Sequence, residues 1–215
     1  MEKLGIVHTV AQLAPTFAEL AGELLPSVQT IAIADELLLK RTIRDGEVDD
    51  VTRERLHGHV AALAEFGVDA VLVTCSSVGA VVDEIASTAS IPVYRVDRAM
   101  AERAVSLGPT VGVLATLPTT LAPTADLVEA AAREAGRPVT VVSRLCEGAF
   151  EALGRGDGEL HDAIVAEQLA ALTAEVDVVV LAQASMARIA AKRPAGGTPV
   201  LSSPRLAMER LAELA

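Results

Sequence analysis

Short runs of Val, Ile and Leu recur along this chain between Ala-rich stretches with apolar residues at helical spacing, a pattern that predicts parallel β-α-β units buried on both faces. In the first half it predicts strands near 4–9, 28–34, 69–74 and 91–96, with helices near 12–25, 49–66 and 78–88. In the second half it predicts strands near 111–115, 139–143, 177–182 and 198–202, with helices near 120–135, 159–173 and 184–192. A helix at 97–106 follows the last strand of the first half, and a helix at 204–215 follows the last strand of the second. Segments 36–48 and 144–158 read as the longest loops, and Arg193-Pro194-Ala195-Gly196-Gly197 as a turn into the last strand.

The two halves are copies. Leu4-Gly5-Ile6-Val7-His8-Thr9 is answered by Val111-Gly112-Val113-Leu114-Ala115-Thr116, and Asp69-Ala70-Val71-Leu72-Val73-Thr74-Cys75 by Asp177-Val178-Val179-Val180-Leu181-Ala182-Gln183. Ile91-Pro92-Val93-Tyr94 matches Thr198-Pro199-Val200-Leu201, and Arg98, Glu102 and Arg103 match Arg205, Glu209 and Arg210. The offset, about 107 residues, is too long for a solenoid and right for a duplicated α/β unit. The expected fold is therefore α/β, with two pseudo-symmetric Rossmann-like lobes, each on a four-stranded parallel sheet. Residues 1–96 plus 203–215 form the first lobe and 97–202 the second, with the last helix returning to the first lobe. A cleft between such lobes would be lined by strand ends, where ligands of open parallel sheets lie. His8, Thr9, Asp35, Cys75, Thr116, Ser143 and Gln183 stand at the expected ends.

Composition narrows the partners. A net charge of -11 opposes binding to phosphate backbones and anionic membranes, and 2% aromatic content leaves few platforms for stacking bases. Nucleic acid and membrane are excluded as expected partners, and a homo-oligomer is compatible with the pattern. Met1-Glu2-Lys3-Leu4-Gly5 lacks the series of a secretory signal, and no apolar run reaches the length of a membrane span. Cys75 and Cys146, at non-equivalent positions, read as reduced thiols. A cytoplasmic protein is the consistent expectation.

Cys75 carries the clearest chemistry. It ends a buried strand, and Ser76-Ser77-Val78-Gly79 opens the next helix, so backbone N–H groups and a helix dipole are expected to lower the thiol pKa toward neutrality. Ser76 and Ser77 add hydroxyl donors for a carboxylate. The bland reading is a small buried Cys beside a capping Ser.

With Thr74-Cys75-Ser76-Ser77 in place of a Cys-Asn-Thr motif, Thr116 to Thr119 in the second-half loop, and Leu181-Ala182-Gln183-Ala184-Ser185 in place of Gly-Cys-Thr-Glu, the chain resembles the aspartate/glutamate/hydantoin racemases over nearly its whole length. Arylmalonate decarboxylase and maleate isomerase are related branches. The resemblance implies a cofactor-independent enzyme without metal, in which two cysteines flank the substrate's α-carbon, one removing a proton and the other delivering one. Cys75 matches the first cysteine, and Gln183 stands where the second belongs. An amide cannot exchange protons usefully near neutral pH, so either another acid/base serves or the reaction needs only one.

His8 is the best substitute, because imidazole titrates near neutral pH; its plain alternative is a strand-terminal His bonded to a loop carbonyl. Asp35 could orient His8 or bind a substrate amino group, or be a helix cap. The resemblance favours Thr116 and Thr119 as substrate contacts, alongside Thr9, Ser76, Ser77, Ala184 and Ser185, with Thr120 a second hydroxyl at the same helix start. Gln183 is expected to donate a hydrogen bond to a substrate carboxylate or developing enediolate. Cys146 reads as a structural thiol, and Arg144 and Arg155 as loop cations able to close over an anion. Three classes follow: an isomerase or racemase of a small carboxylic or amino acid using Cys75, a single-cysteine lyase of decarboxylase type, and a non-catalytic carboxylate-binding protein.

Overall fold

Where the Val and Ile runs stand, parallel strands form, and their neighbours in sequence fold back as helices on both sheet faces. The computed structural model describes residues 1–191 and 196–215. Residues 192–195, which hold most of the expected 193–197 turn and the last residue of the expected 184–192 helix, lie outside the described residues. The chain divides into two compact units, one of residues 1–97 with 204–215 and one of residues 98–203.

The first unit contains β1 (Lys3–His8), α1 (Ala14–Leu24), β2 (Gln29–Ala34), α2 (Glu36–Asp45), α3 (Asp50–Phe66), β3 (Ala70–Val73), α4 (Gly79–Thr88) and β4 (Val93–Arg95). Its sheet has the order β2-β1-β3-β4, all parallel. The second unit contains α5 (Arg98–Leu107), β5 (Thr110–Ala115), α6 (Pro118–Glu134), β6 (Thr140–Leu145), α7 (Ala149–Gly154), α8 (Gly158–Thr173), β7 (Val178–Leu181), α9 (Ala187–Ala191) and β8 (Val200–Ser202). Its order, β6-β5-β7-β8, repeats the first. The chain ends in α10 (Ser203–Leu214). This is the duplicated α/β architecture expected from the sequence.

Burial explains the composition of each strand. The inner strands β3 and β7 are buried at every residue, whereas the edge strands β2 and β6 hold only half-buried and exposed positions. Successive residues of β1 serve different faces of the sheet, as the period of 2 requires. Val7 packs with Val71, Val73, Leu56 and Leu63 on the α3/α4 face, while Leu4 and Ile6 pack with Leu72 and Phe17 on the α1 face. Ala207, Met208 and Leu211 of α10 complete that second layer, so the C-terminal helix covers the sheet begun by residue 3.

Two segments expected as loops contain helices. Within 36–48 lies α2, because the Asp35 carboxylate accepts the Leu37 N–H as an N-cap and Gly46, at φ +77°, supplies the left-handed stop. Within 144–158 lies α7, preceded by Gly148 at φ +78°. The strand before it also runs further than expected, to Leu145, so Ser143 pairs with Val113 inside β6 rather than ending a strand. Both helices are short, 10 residues for α2 and 6 for α7, and both lie in segments bounded by glycines that read as loops. Among the described residues, no helix is long and apolar enough to cross a membrane.

Candidate active site

At the carboxyl end of the first sheet, Cys75 lies two residues beyond β3 and Thr9 one residue beyond β1. Both follow the register that places Val7 beside Val73, and both are buried. The next residues, Ser76–Val78, form a 3₁₀ turn that leads into α4. Its start is non-helical at Cys75, so the turn's first N–H groups are unused by the helix and turn back toward the sulfur. The thiol accordingly sits among the Thr9 hydroxyl, the backbone N–H groups of Ser77 and Val78, and the Ser77 hydroxyl.

The backbone N–H donors were expected; the Thr9 and Ser77 hydroxyls on the sulfur, and the net effect of the whole set, were not. Burial pushes the Cys75 thiol above its ordinary range, and the surrounding hydrogen bonds only oppose that shift. The expectation of a thiol lowered toward neutrality is thus corrected. In the free protein the sulfur carries its proton at neutral pH, and the donors stand ready to stabilise the thiolate once the proton leaves. Cys146 is a core residue packed with Leu114, Ala149 and Val165, and its burial drives its pKa to about 11. Iodoacetamide mapping should therefore show slow labelling of both thiols at pH 7, rising with pH, with Cys75 ahead of the completely buried Cys146 at every pH. Preferential labelling of Cys146 would contradict this geometry.

Strand parity separates His8 from the thiol. The His8 Nδ1 lies 3.0 Å from Thr74 Oγ1, and its ring stands 5.5 Å from that of Phe17, on the α1 side of the sheet. Thr74 Oγ1 in turn donates to the Val7 carbonyl at 3.3 Å, so in that arrangement Nδ1 carries the proton. Burial lowers the His8 pKa, leaving a neutral imidazole at neutral pH. The structure brings Thr9, not His8, to the sulfur.

Asp35 is likewise drawn elsewhere. Its Oδ2 accepts from Arg55 Nη2 at 2.6 Å and from His59 Nε2 at 2.7 Å, while Oδ1 caps α2 through the Leu37 N–H. Burial alone would raise its pKa, but these partners outweigh it and hold the carboxyl below the usual range. The expected roles of orienting His8 or binding an amino group give way to a helix cap and ion pair.

The second unit repeats the backbone of the site with other side chains, Gln183 at the place of Cys75 and Ala184 at that of Ser76. Gln183 lies two residues beyond β7 and Thr116 one residue beyond β5, the places of Cys75 and Thr9. Gln183 Oε1 accepts the Thr116 N–H at 2.6 Å, and Nε2 donates to Thr116 Oγ1 at 2.8 Å. The amide is pinned at both ends, so the Thr116 donors expected to hold a substrate are engaged by Gln183 itself. Ala184 and Ser185 lie in the following turn, where the Ser185 carbonyl accepts from Arg188 Nη1 at 3.1 Å. Thr119 lies in the first turn of α6 with its hydroxyl buried and unpartnered, beside the buried Thr120. Arg144 belongs to β6 and binds Glu175 at 2.9 Å, and Arg155 is exposed after α7.

One group beside the start of α4 was not foreseen. Arg95 ends β4 and bonds Asp97 through Nε at 2.9 Å and Nη2 at 3.0 Å, with Nη1 on Asp83 at 2.5 Å. An Arg-X-Asp at the end of an apolar strand was its only sequence signal.

A family model described as Asp/Glu/Hydantoin racemase matches residues 6–211. No curated protein matches the sequence significantly. Among solved structures, glutamate racemase isoform RacE1 from Bacillus anthracis superposes with a TM-score of 0.74 at 19% identity, covering 99% of this chain and 81% of that one. Allantoin racemase from Klebsiella pneumoniae gives 0.73 at 17% identity, covering 100% and 87%, and Picrophilus torridus aspartate racemase 0.73 at 14%, covering 99% and 95%. The structures share the fold, and the family model spans both sheets with their strand-end cradles: the chain belongs to the Asp/Glu/Hydantoin racemase family and is a racemase-type enzyme.

Proposed function

We propose that the chain acts without a cofactor at the α-carbon of a small carboxylic or amino acid, with Cys75 as the group that moves the proton. The observation that carries this reading is the setting of the sulfur, with the Thr9 and Ser77 hydroxyls and the Ser77 and Val78 N–H groups gathered on one buried thiol. In one direction the Cys75 thiolate takes the α-proton and the C–H electron pair moves into an enediolate of the substrate carboxylate. In the other the thiol returns a proton to that carbon. The donors that hold the thiolate lower the cost of the step in which it forms.

A second reading is a lyase of decarboxylase type, and two observations favour it. The position equivalent to Cys75 is an amide fastened to Thr116, and burial keeps Cys75 protonated. Loss of carbon dioxide leaves an enediolate that needs one proton, which a single neutral thiol can supply. Incubation of small amino acids and of substituted malonates in deuterated water separates the readings. The isomerase returns α-deuterated substrate of unchanged carbon count, whereas the lyase releases carbon dioxide and leaves deuterium on the shortened acid. Absence of α-deuterium from every acid tested would overturn both.

A further inference from the structure

The Arg95 guanidinium is almost wholly enclosed, with its side chain 7% exposed and Asp97 at 0%. It lies flat against Gly79: a Cβ built there would meet Nη2 at 2.4 Å, Cζ at 2.5 Å and Nε at 2.8 Å. Gly79 is both the first residue of α4 and the residue whose N–H closes the Ser76–Val78 turn on the Ser76 carbonyl. Asp83, the third member of the cluster, lies one turn further along the same helix. The guanidinium thus ties the start of α4 to the end of β4 beneath the turn that offers its N–H groups to Cys75.

The duplicated unit supplies an internal comparison. Where the first copy has Gly79 and Arg95, the second has Ala187 and Ser202, and where the first has a thiol the second has Gln183. The methyl group that Gly79 must lack is present where no guanidinium needs the space. A buried ion pair is a weak source of stability, since well-packed apolar residues commonly serve as well, so its confinement to the thiol-bearing copy calls for another reason.

We propose that Arg95, held by Asp97 and Asp83, is a positioning residue for Cys75, fixing the first residue of α4 so that the Ser77 and Val78 N–H groups bear on the sulfur. This rests on the reading of Cys75 as the proton-transfer group, but its test needs no substrate. Among the described residues, the other ionisable groups at this end of the sheet have partners of their own: His8 lies against Thr74, Asp35 binds Arg55 and His59, and Glu36 binds Lys40 and the Ala11 N–H.

The experiment is the pH profile of Cys75 alkylation in the intact protein, read by peptide mapping, for the wild type, Arg95→Lys and the double variant Arg95→Met with Asp97→Asn. The double variant removes both buried charges together, and lysine keeps the charge but cannot form the two-point bond. In the folded double variant the midpoint for Cys75 ionisation should move up by about one pH unit, a tenfold loss of thiolate at fixed pH, with a smaller upward move in Arg95→Lys. A folded double variant with the wild-type midpoint overturns the proposal. If the double variant does not fold, Arg95→Lys decides alone, an upward midpoint supporting the assignment and an unchanged one overturning it. Failure of α-proton exchange with an intact Arg95 effect would count against the proposed function and leave this assignment standing.

Discussion

Cys75→Ala is expected to reduce α-proton exchange into solvent by about 10²- to 10⁴-fold, the usual contribution of a positioned acid/base, with little change in fold. The side chain is small and buried, so alanine leaves only a modest cavity, and circular dichroism and thermal melting should confirm that structure persists. The companion variant, Gln183→Cys, asks what a thiol at the equivalent position of the second copy adds. In the wild type both the N–H and the hydroxyl of Thr116 are held by the Gln183 amide. Cysteine frees them and puts a thiol beside Thr116 as Cys75 stands beside Thr9, so racemisation of an acidic amino acid should appear or rise. Both results are read by proton NMR in deuterated water and chiral chromatography. Exchange that survives Cys75→Ala at the wild-type rate would remove the thiol from the mechanism.

Asp97→Ala should cost about 3 kcal/mol of stability or somewhat more, because it strands the enclosed Arg95 with only the half-exposed Asp83 as counter-ion. For a chain of this size that is a fall in melting temperature of roughly 6–12 °C. The exposed pair Arg205–Glu23 provides the contrast, since both side chains are at least half solvent-exposed and Arg205→Ala should change stability by about 1 kcal/mol at most. Solvent screening and side-chain entropy cancel most of a surface pair's attraction, whereas removal of one buried partner leaves the other's desolvation uncompensated. Thermal melts of the two variants test this ranking, and equal shifts would refute it.

The alternation of Val-rich runs with Ala-rich helices, repeated at a constant offset, was enough by itself to establish two four-stranded parallel α/β units. Backbone pairing in buried parallel strands leaves so strong a compositional trace that fold and duplication were legible without coordinates. The strand-end positions of Cys75 and Gln183 were equally legible, because each lies between a strand end and the next helix. Helices α2 and α7 were not, since they are short and sit beside glycines, Gly46 after α2 and Gly148 before α7, that mark loops.

What the tertiary structure alone decided was which side chains meet. Neighbours in sequence, His8 and Thr9, part to different partners: His8 goes to Thr74 and Phe17, Thr9 to the Cys75 sulfur. Asp35 spends its charge on Arg55 and His59, which lie 20 and 24 residues away. The direction of the Cys75 pKa also belonged to the tertiary structure. A sequence shows the donors that would lower it, but desolvation depends on how completely β1, β3 and α4 enclose the sulfur, and here enclosure wins.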